Sequence, residues 1–233
     1  AVHAHLEHRA QQLEAAVGGG REGAVERVGR MRRPPLGRQL GRLVEGGRTI
    51  ALLGSSGVGK STLTGILAEN MGWKPFYEAV DENPYLADFY KDMQRWSFHL
   101  QIYFFSNRFK AQKEITEWPN SCIQDRSIYE DVEIFAHTLY ENGNMSKVDY
   151  ENYRELFSIM VSYLRKPDLI IYLQTPVKYL IERILKRGRD YERTIDPKYL
   201  EQLNIAYDRW LDNAEKSGFK IMRIDTRKAL KKW

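Results

Sequence analysis

Cysteine is almost absent from this chain, with one residue, Cys122, in 233. A single thiol cannot close an internal disulfide, so a stapled secreted scaffold is excluded. No run of about 18 apolar residues occurs, so no membrane-spanning helix is expected. The first residues lack a basic start followed by a long apolar stretch, so no secretory leader is visible. These absences lead to the expectation of a soluble, cytoplasmic protein.

Other absences divide the chain. Residues 1–48 contain no Lys, Asp, Asn, Tyr or Ile, yet they hold nine of the 17 glycines and nine Arg against five Glu. The net charge of +5 therefore comes almost entirely from the first fifth of the sequence. Residues 1–48 read as an appended Arg/Gly-rich extension. Two short polar helices, Val2–Val17 and Arg21–Arg33, are expected in it, stopped by Gly18-Gly19-Gly20 and by Pro34-Pro35. Nucleic-acid binding is unexpected elsewhere and could rest only on this segment.

From Thr49 onward the pattern alternates between strand and helix. Apolar runs predict strands at Thr49–Leu53, Lys74–Glu78, Ser121–Gln124, Leu169–Leu173 and Lys220–Ile224. Helical periodicity predicts helices over Ser61–Met71, Asp88–Glu114, Ile128–Leu139, Asp149–Leu164, Val177–Lys186 and Pro197–Ser217. Such alternation implies a parallel sheet covered on both faces. With 42% hydrophobic and 12% aromatic residues, the chain can build that core.

The run Gly54-Ser55-Ser56-Gly57-Val58-Gly59-Lys60-Ser61 fits G-x-x-x-x-G-K-[ST], directly after a strand and before a helix. This context is what the phosphate-binding loop requires. Its glycines let backbone N–H groups wrap a phosphate at a helix N-terminus. Lys60 supplies a point charge, and Ser61 a hydroxyl suited to Mg²⁺. The fold class is therefore a P-loop NTPase, with five parallel strands flanked by helices.

Two further groups of residues suggest what receives the phosphate. Glu78 closes the second predicted strand, and Asp125-Arg126-Ser127 closes the third. In an open parallel sheet such C-terminal strand ends meet beside the loop. Phosphoryl transfer needs a carboxylate near the attacking hydroxyl and a cation near the developing charge. Farther on, Arg183, Arg187 and Arg189 cluster just before and after Gly188. That spacing suits a lid, around residues 183–193, that closes arginines over phosphates.

Residues 49 to about 226 resemble the deoxynucleoside kinases, most closely their bacterial deoxyadenosine/deoxyguanosine kinase branch. The resemblance is carried by Gly54–Thr62, by Glu78 with Asn83-Pro84-Tyr85-Leu86, and by Arg95-Trp96-Ser97-Phe98 with Gln101. Asp125-Arg126-Ser127-Ile128-Tyr129-Glu130-Asp131 and Arg187-Gly188-Arg189-Asp190-Tyr191-Glu192 complete it. It implies ATP as donor, a deoxynucleoside as acceptor, deoxyadenosine favoured, a role in nucleotide salvage, and a homodimer. By the same resemblance Glu78 or Asp125 takes the proton of the sugar 5′-hydroxyl. Arg126 pairs with Glu78, Asp125 and Ser61 hold Mg²⁺, and Tyr90 with Glu192 holds the 3′-hydroxyl. Gln101 and Asp131, with Arg108 between them, read the base. Trp96 and Phe105 are candidates to stack on it. Arg183, Arg187 and Arg189 belong to the lid, and Asp225 lies near the adenine of ATP.

Two other readings share the P-loop. The segment Gly47–Ser61 also resembles the loop entry of ribosome-associated GTPases, which an Arg-rich extension would suit. However, the nearest guanine motif, Ser146-Lys147-Val148-Asp149, lacks its Asn. A nucleoside monophosphate kinase would need additional arginines around an acceptor phosphate.

Overall fold

A computed structural model describes residues 47–78, 83–189, 192 and 195–227. The helices expected in residues 1–46 lie outside this set, as do lid residues 190, 191 and 193 and the C-terminal residues 228–233. The five strands are β1 (Thr49–Leu53), β2 (Lys74–Phe76), β3 (Cys122–Asp125), β4 (Leu169–Gln174) and β5 (Ile221–Asp225). They form one parallel sheet in the order β2-β3-β1-β4-β5. The helices are α1 (Lys60–Met71), α2 (Leu86–Lys91), α3 (Met93–Glu117), α5 (Lys147–Val161), α6 (Val177–Arg187) and α7 (Pro197–Lys216). Between α3 and α5, the helical turn Ile128–Glu130, a π-helical stretch Asp131–Ala136 and the α-helical end His137–Glu141 follow one another and are together called α4.

β1 sits at the centre because both of its faces are apolar: Ile50, Ala51, Leu52 and Leu53 are fully buried. Continuous apolar strands of this kind are the signature of a parallel sheet covered on both sides. Its register with β3 places Leu52 opposite Asp125, and with β4 Leu53 opposite Tyr172. The C-terminal ends of the three strands are thereby level, so the turns that leave them converge on one rim. Replacing Ile50 with alanine is expected to cost about 2–5 kcal/mol, the usual loss when a large core side chain is truncated. Urea unfolding measures it, and a shift below about 1 kcal/mol would contradict a central β1.

Most boundaries shift by a few residues from the sequence expectation, and three differences go further. β2 ends at Phe76, because its ladder with β3 stops at Phe76↔Gln124. Glu78 thus stands on the loop beyond the strand. The long helix expected over Asp88–Glu114 is broken at Asp92, which has extended backbone angles and accepts from the N–H of Arg95. Asp is a preferred N-cap, and here that local bond outweighs helical continuity. The helix expected over Ile128–Leu139 contains the π-helical stretch, which begins at Asp131. Such π segments often mark functional sites.

Arg48 belongs to the folded domain, although the composition break placed it in the extension. Its guanidinium meets Asp168 at 3.0 Å, and its carbonyl accepts from the Cys122 N–H.

Candidate active site

The phosphate loop follows from steric necessity at Gly54. With φ at 138°, a Cβ there would lie 2.6 Å from the Leu173 carbonyl oxygen, so only glycine lets β1 turn into the loop. Val58, 1% exposed, packs beneath the loop. Ser55 Oγ donates to Asn204 Oδ1 at 2.7 Å and ties the loop to α7. Gly59 caps α1 without a side-chain bond. The first-turn N–H groups therefore remain available to an anion, and the helix dipole favours one there. Thr62 is exposed on that turn.

Lys60 is buried and donates to the carbonyls of Gly54, at 2.7 Å, and Ser55, at 3.2 Å. Burial first, and then the neighbouring Arg126 cation, bring its pKa down to about 8. Asp125, Glu130 and Glu78 partly oppose that fall.

A cavity of about 420 Å³ opens beside the loop, in the range of small-molecule sites. Ser56, Gly57, Gly59, Lys60 and Ser61 of the loop line it, and so do Tyr90, Gln101, Arg108 and Asp131. Glu78, Asp125 and Arg126 line it as well and link the two sets, since Asp125 bonds Ser61, Arg126 bonds Glu78, and Glu78 bonds Arg108. The residues singled out from three separate stretches of sequence thus share one space.

Both oxygens of Glu78 are committed to cations. Oε2 accepts from Arg126 Nε at 2.7 Å, and Oε1 from Arg108 Nη2 at 3.0 Å. Burial alone would raise the Glu78 pKa, but Arg126, Arg108 and Lys60 outweigh it and hold the carboxyl at about 2. Glu78 is therefore ionised at any working pH. Arg108 also donates Nε to Asp131 Oδ2 at 2.9 Å. For Asp131 burial wins over the Arg108 cation, and its pKa rises to about 6. Gln101 reaches the same end of the cavity and is 3% exposed, with its Oε1 unpartnered among the described residues. An unpaired buried amide oxygen costs free energy until a ligand donates to it.

Arg126 has φ +73°, and no other described non-glycine residue has a positive φ. This conformation costs about 1–3 kcal/mol, and such strain gathers at functional sites. Its guanidinium also lies over the Phe135 ring at 4.9 Å. Asp125 Oδ2 accepts from Ser61 Oγ, while Asp125 Oδ1 is buried with no partner among the described residues. A hydroxyl and a carboxylate with an orphaned oxygen are the hard donors that Mg²⁺ takes. Among the described residues no group of three His, Cys, Asp or Glu could hold a metal. This suits an ion that takes one or two carboxylates and completes its shell with phosphate oxygens and water.

Of the residues expected in a lid, Arg183, Arg187, Arg189 and Glu192 are described. Arg187 grips Glu192, with Nη2 to Oε2 at 2.6 Å and Nε to Oε2 at 3.1 Å, and donates Nη2 to Ser56 Oγ at 2.8 Å. Arg183 donates to the Thr226 carbonyl at 3.0 Å. Arg183, Arg187, Arg189 and Glu192 all line the cavity. Asp225 does not; it ends β5 on the surface, paired with Arg227 Nε at 2.7 Å.

Neither aromatic candidate faces the cavity. Phe105 is 3% exposed and packs edge-on against Tyr153 at 5.6 Å. Trp96 lies against Tyr85 and His99. The cavity is lined instead by Phe104, Phe89 and Phe135. One residue is about 100° of helix, so neighbours 104 and 105 point to different faces.

Sequence reasoning missed Glu130, Tyr207 and Asn204, which support the site from behind. The only signal for Glu130 was the Ser127-x-x-Glu130 capping pattern, of which the bond from the Ser127 N–H to Glu130 Oε2 is formed at 3.0 Å. Nothing local marks Tyr207 or Asn204, because their partners lie 77 and 149 residues away in the chain.

With this geometry established, comparisons with known proteins agree. The family model described as Deoxynucleoside kinase matches residues 50–232. A deoxyadenosine/deoxycytidine kinase of Bacillus subtilis (strain 168) is 46% identical over 178 residues, covering 76% of this chain and 82% of that protein. A deoxyadenosine kinase of Dictyostelium discoideum is 40% identical over 167 residues, covering 72% and 68%. Among solved structures, deoxyadenosine kinase from M. mycoides with dCMP and dCDP as products superposes with a TM-score of 0.70 at 34% identity, covering 76% and 90%. The same enzyme with bound dATP gives 0.69, covering 77% and 91%.

Proposed function

The chain belongs to the deoxynucleoside kinase family, and from that premise we propose that it transfers the γ-phosphoryl group of ATP to the 5′-hydroxyl of deoxyadenosine, with deoxycytidine as a further acceptor. The observation that carries this reading is the single cavity joining Lys60 and Ser61 to Gln101, Arg108 and Asp131 through Glu78, Asp125 and Arg126. Lys60 and the loop N–H groups hold the donor phosphates. Arg183, Arg187 and Arg189 close over them and exclude water. Glu78 is kept ionised and oriented by two arginines, and it faces the acceptor end. There it accepts the hydrogen of the 5′-hydroxyl, with Asp125 as the other candidate. Arg126 balances the charge that develops on the transferred group. Ser61 and Asp125 would hold Mg²⁺, which when bound neutralises charge on the phosphate oxygens.

At the far end, Gln101 offers a base edge both donor and acceptor, and the Arg108–Asp131 pair fixes their neighbourhood. Tyr90 and Glu192 hold the 3′-hydroxyl. Phe104, on the cavity wall, rather than Phe105 stacks on the base. Asp225 touches the donor only if the adenine reaches past Arg183.

An assay with radiolabelled ATP, four deoxynucleosides and dAMP tests the reading. Transfer to deoxyadenosine is expected to be fastest. Transfer to dAMP alone would replace it with a monophosphate kinase, and hydrolysis of GTP without an acceptor would replace it with the GTPase.

Three accompanying features belong to this reading. Val148, Leu156 and Ile159 share one side of α5, Tyr163 follows just beyond its end, and all four are exposed. They form the surface a second copy would cover in a homodimer, and Ile159→Glu is then expected to sediment as a monomer. A place in nucleotide salvage and a cytoplasmic location are part of the same proposal. No described helix is long and apolar enough to cross a membrane. Lastly, residues 1–46 lie outside the family match, which begins at residue 50. Their deletion is expected to leave turnover within about threefold, since every matched motif lies beyond them. A deletion variant that folds by circular dichroism but lacks activity would overturn this. Deletion should stop before Arg48, whose pairing with Asp168 would otherwise be lost.

A further inference from the structure

Behind the cavity lies a carboxylate to which the reaction just described gives no part. Glu130 is fully buried. Its Oε1 accepts from the Gly54 N–H at 3.3 Å, from Arg126 Nη1 at 3.4 Å and from the Tyr207 hydroxyl. Its Oε2 accepts from the Ser127 N–H at 3.0 Å. Four donors from four parts of the fold therefore converge on one side chain: the first glycine of the phosphate loop, the strained arginine after β3, the start of α4, and the middle of α7. Arg126 Nη1 also donates to the Tyr207 hydroxyl at 3.4 Å.

Capping alone does not account for this arrangement. The capping box needs Oε2 and the Ser127 N–H, whereas Oε1 carries three donors that have no part in it. A buried carboxylate is costly unless paired and fully hydrogen-bonded. A cap could be made at the surface without that cost. Arg126 is divided between two carboxylates: Nε serves Glu78 at the cavity, and Nη1 serves Glu130 behind it. Arg126 could rotate about a single ion pair. With carboxylates on both sides, and Phe135 beneath it, the guanidinium has one orientation.

We propose that Glu130 is a positioning residue that locks the Arg126 guanidinium to the phosphate-loop entry at Gly54, so that the cation of the acceptor end and the cradle of the donor end keep one fixed separation. Tyr207 braces this lock from α7, the helix that also holds Ser55 through Asn204. The proposal rests on the kinase reading, because it matters only if Arg126 and the loop act on the same phosphoryl group.

The test is steady-state kinetics of Glu130→Gln and Tyr207→Phe with ATP and deoxyadenosine at neutral pH, on full-length protein whose folding is checked by thermal denaturation. For Glu130→Gln, kcat is expected to fall about 10–100-fold, with KM for deoxyadenosine within about threefold, as for loss of an interaction made in the transition state. Tyr207→Phe keeps the carboxylate and removes one donor. It should lose about threefold to tenfold in kcat, again with KM little changed, and it decides the matter if Glu130→Gln does not fold. A kcat within threefold of wild type in Glu130→Gln, or a KM for deoxyadenosine that rises as much as kcat falls, would overturn the lock. If Glu130→Gln does not fold, wild-type kcat in Tyr207→Phe would do so. Failure of the kinase reading itself looks different, because the unmodified protein would then phosphorylate no deoxynucleoside.

Discussion

Lys60→Ala is expected to reduce phosphoryl transfer by about 10³-fold or more, while deoxyadenosine still binds within about threefold of wild type. The loss is large because Lys60 is a buried cation at the loop, where the effective dielectric is low and a fixed charge does far more than in water. The nucleoside should be indifferent, since Lys60 bonds the carbonyls of Gly54 and Ser55 and none of Gln101, Arg108 and Asp131. Single-turnover kinetics measure the first effect and calorimetry the second. A collapse of nucleoside affinity would show that the two ends are not separable. The intact protein carries a related signature. A lysine with its pKa lowered to about 8 loses its proton as pH rises through that value. The kcat/KM for ATP, which reports the free enzyme, should therefore fall above pH 8.

Glu78→Gln is expected to lower kcat by about 10²–10⁴-fold, the usual contribution of a positioned general base, and to change KM much less. Gln keeps the size and one acceptor, but it neither takes a proton nor balances Arg126 and Arg108. Because those arginines hold Glu78 near pKa 2, it stays charged until pH falls through that value and contributes no acid limb in the working range. An acid limb near pH 6, if one appears, belongs to Asp131 instead. Asp125→Asn should also lose activity, with a Mg²⁺ dependence that Glu78→Gln lacks, since Asp125 is joined to Ser61 and has an unpartnered oxygen. A Mg²⁺ titration of both variants separates the two carboxylates. Near wild-type turnover in Glu78→Gln would pass the proton to Asp125. Near wild-type turnover in both would sink the mechanism.

Much of this protein was determined by local sequence. The phosphate loop is a run of eight residues whose glycines are dictated by backbone sterics, and its strand and helix flanks follow from apolar run and periodicity. That the turns leaving the strands meet at one rim follows as well, because a parallel sheet puts all its C-terminal ends on the same side. Glu78, Asp125 and Arg126 could therefore be assigned to the same place before any contact was seen. The family resemblance then supplied Gln101, Arg108, Asp131 and Glu192, all of which line the cavity.

Only the tertiary structure decided how these groups are held. Which of Phe104 and Phe105 faces the cavity depends on the rotation of α3, and that is set by packing against α4 and α5 rather than by the aromatic pattern. The break at Asp92 depended on competition between a cap and a continuous helix, which composition does not resolve. The two opposed carboxylates on Arg126 come from residues 48 positions before it and four after, and the tyrosine that braces them from 81 positions after. Periodicity reports which face of an element is apolar. It does not report which buried polar atoms from distant elements meet, because that is decided by hydrogen-bond satisfaction in the assembled core.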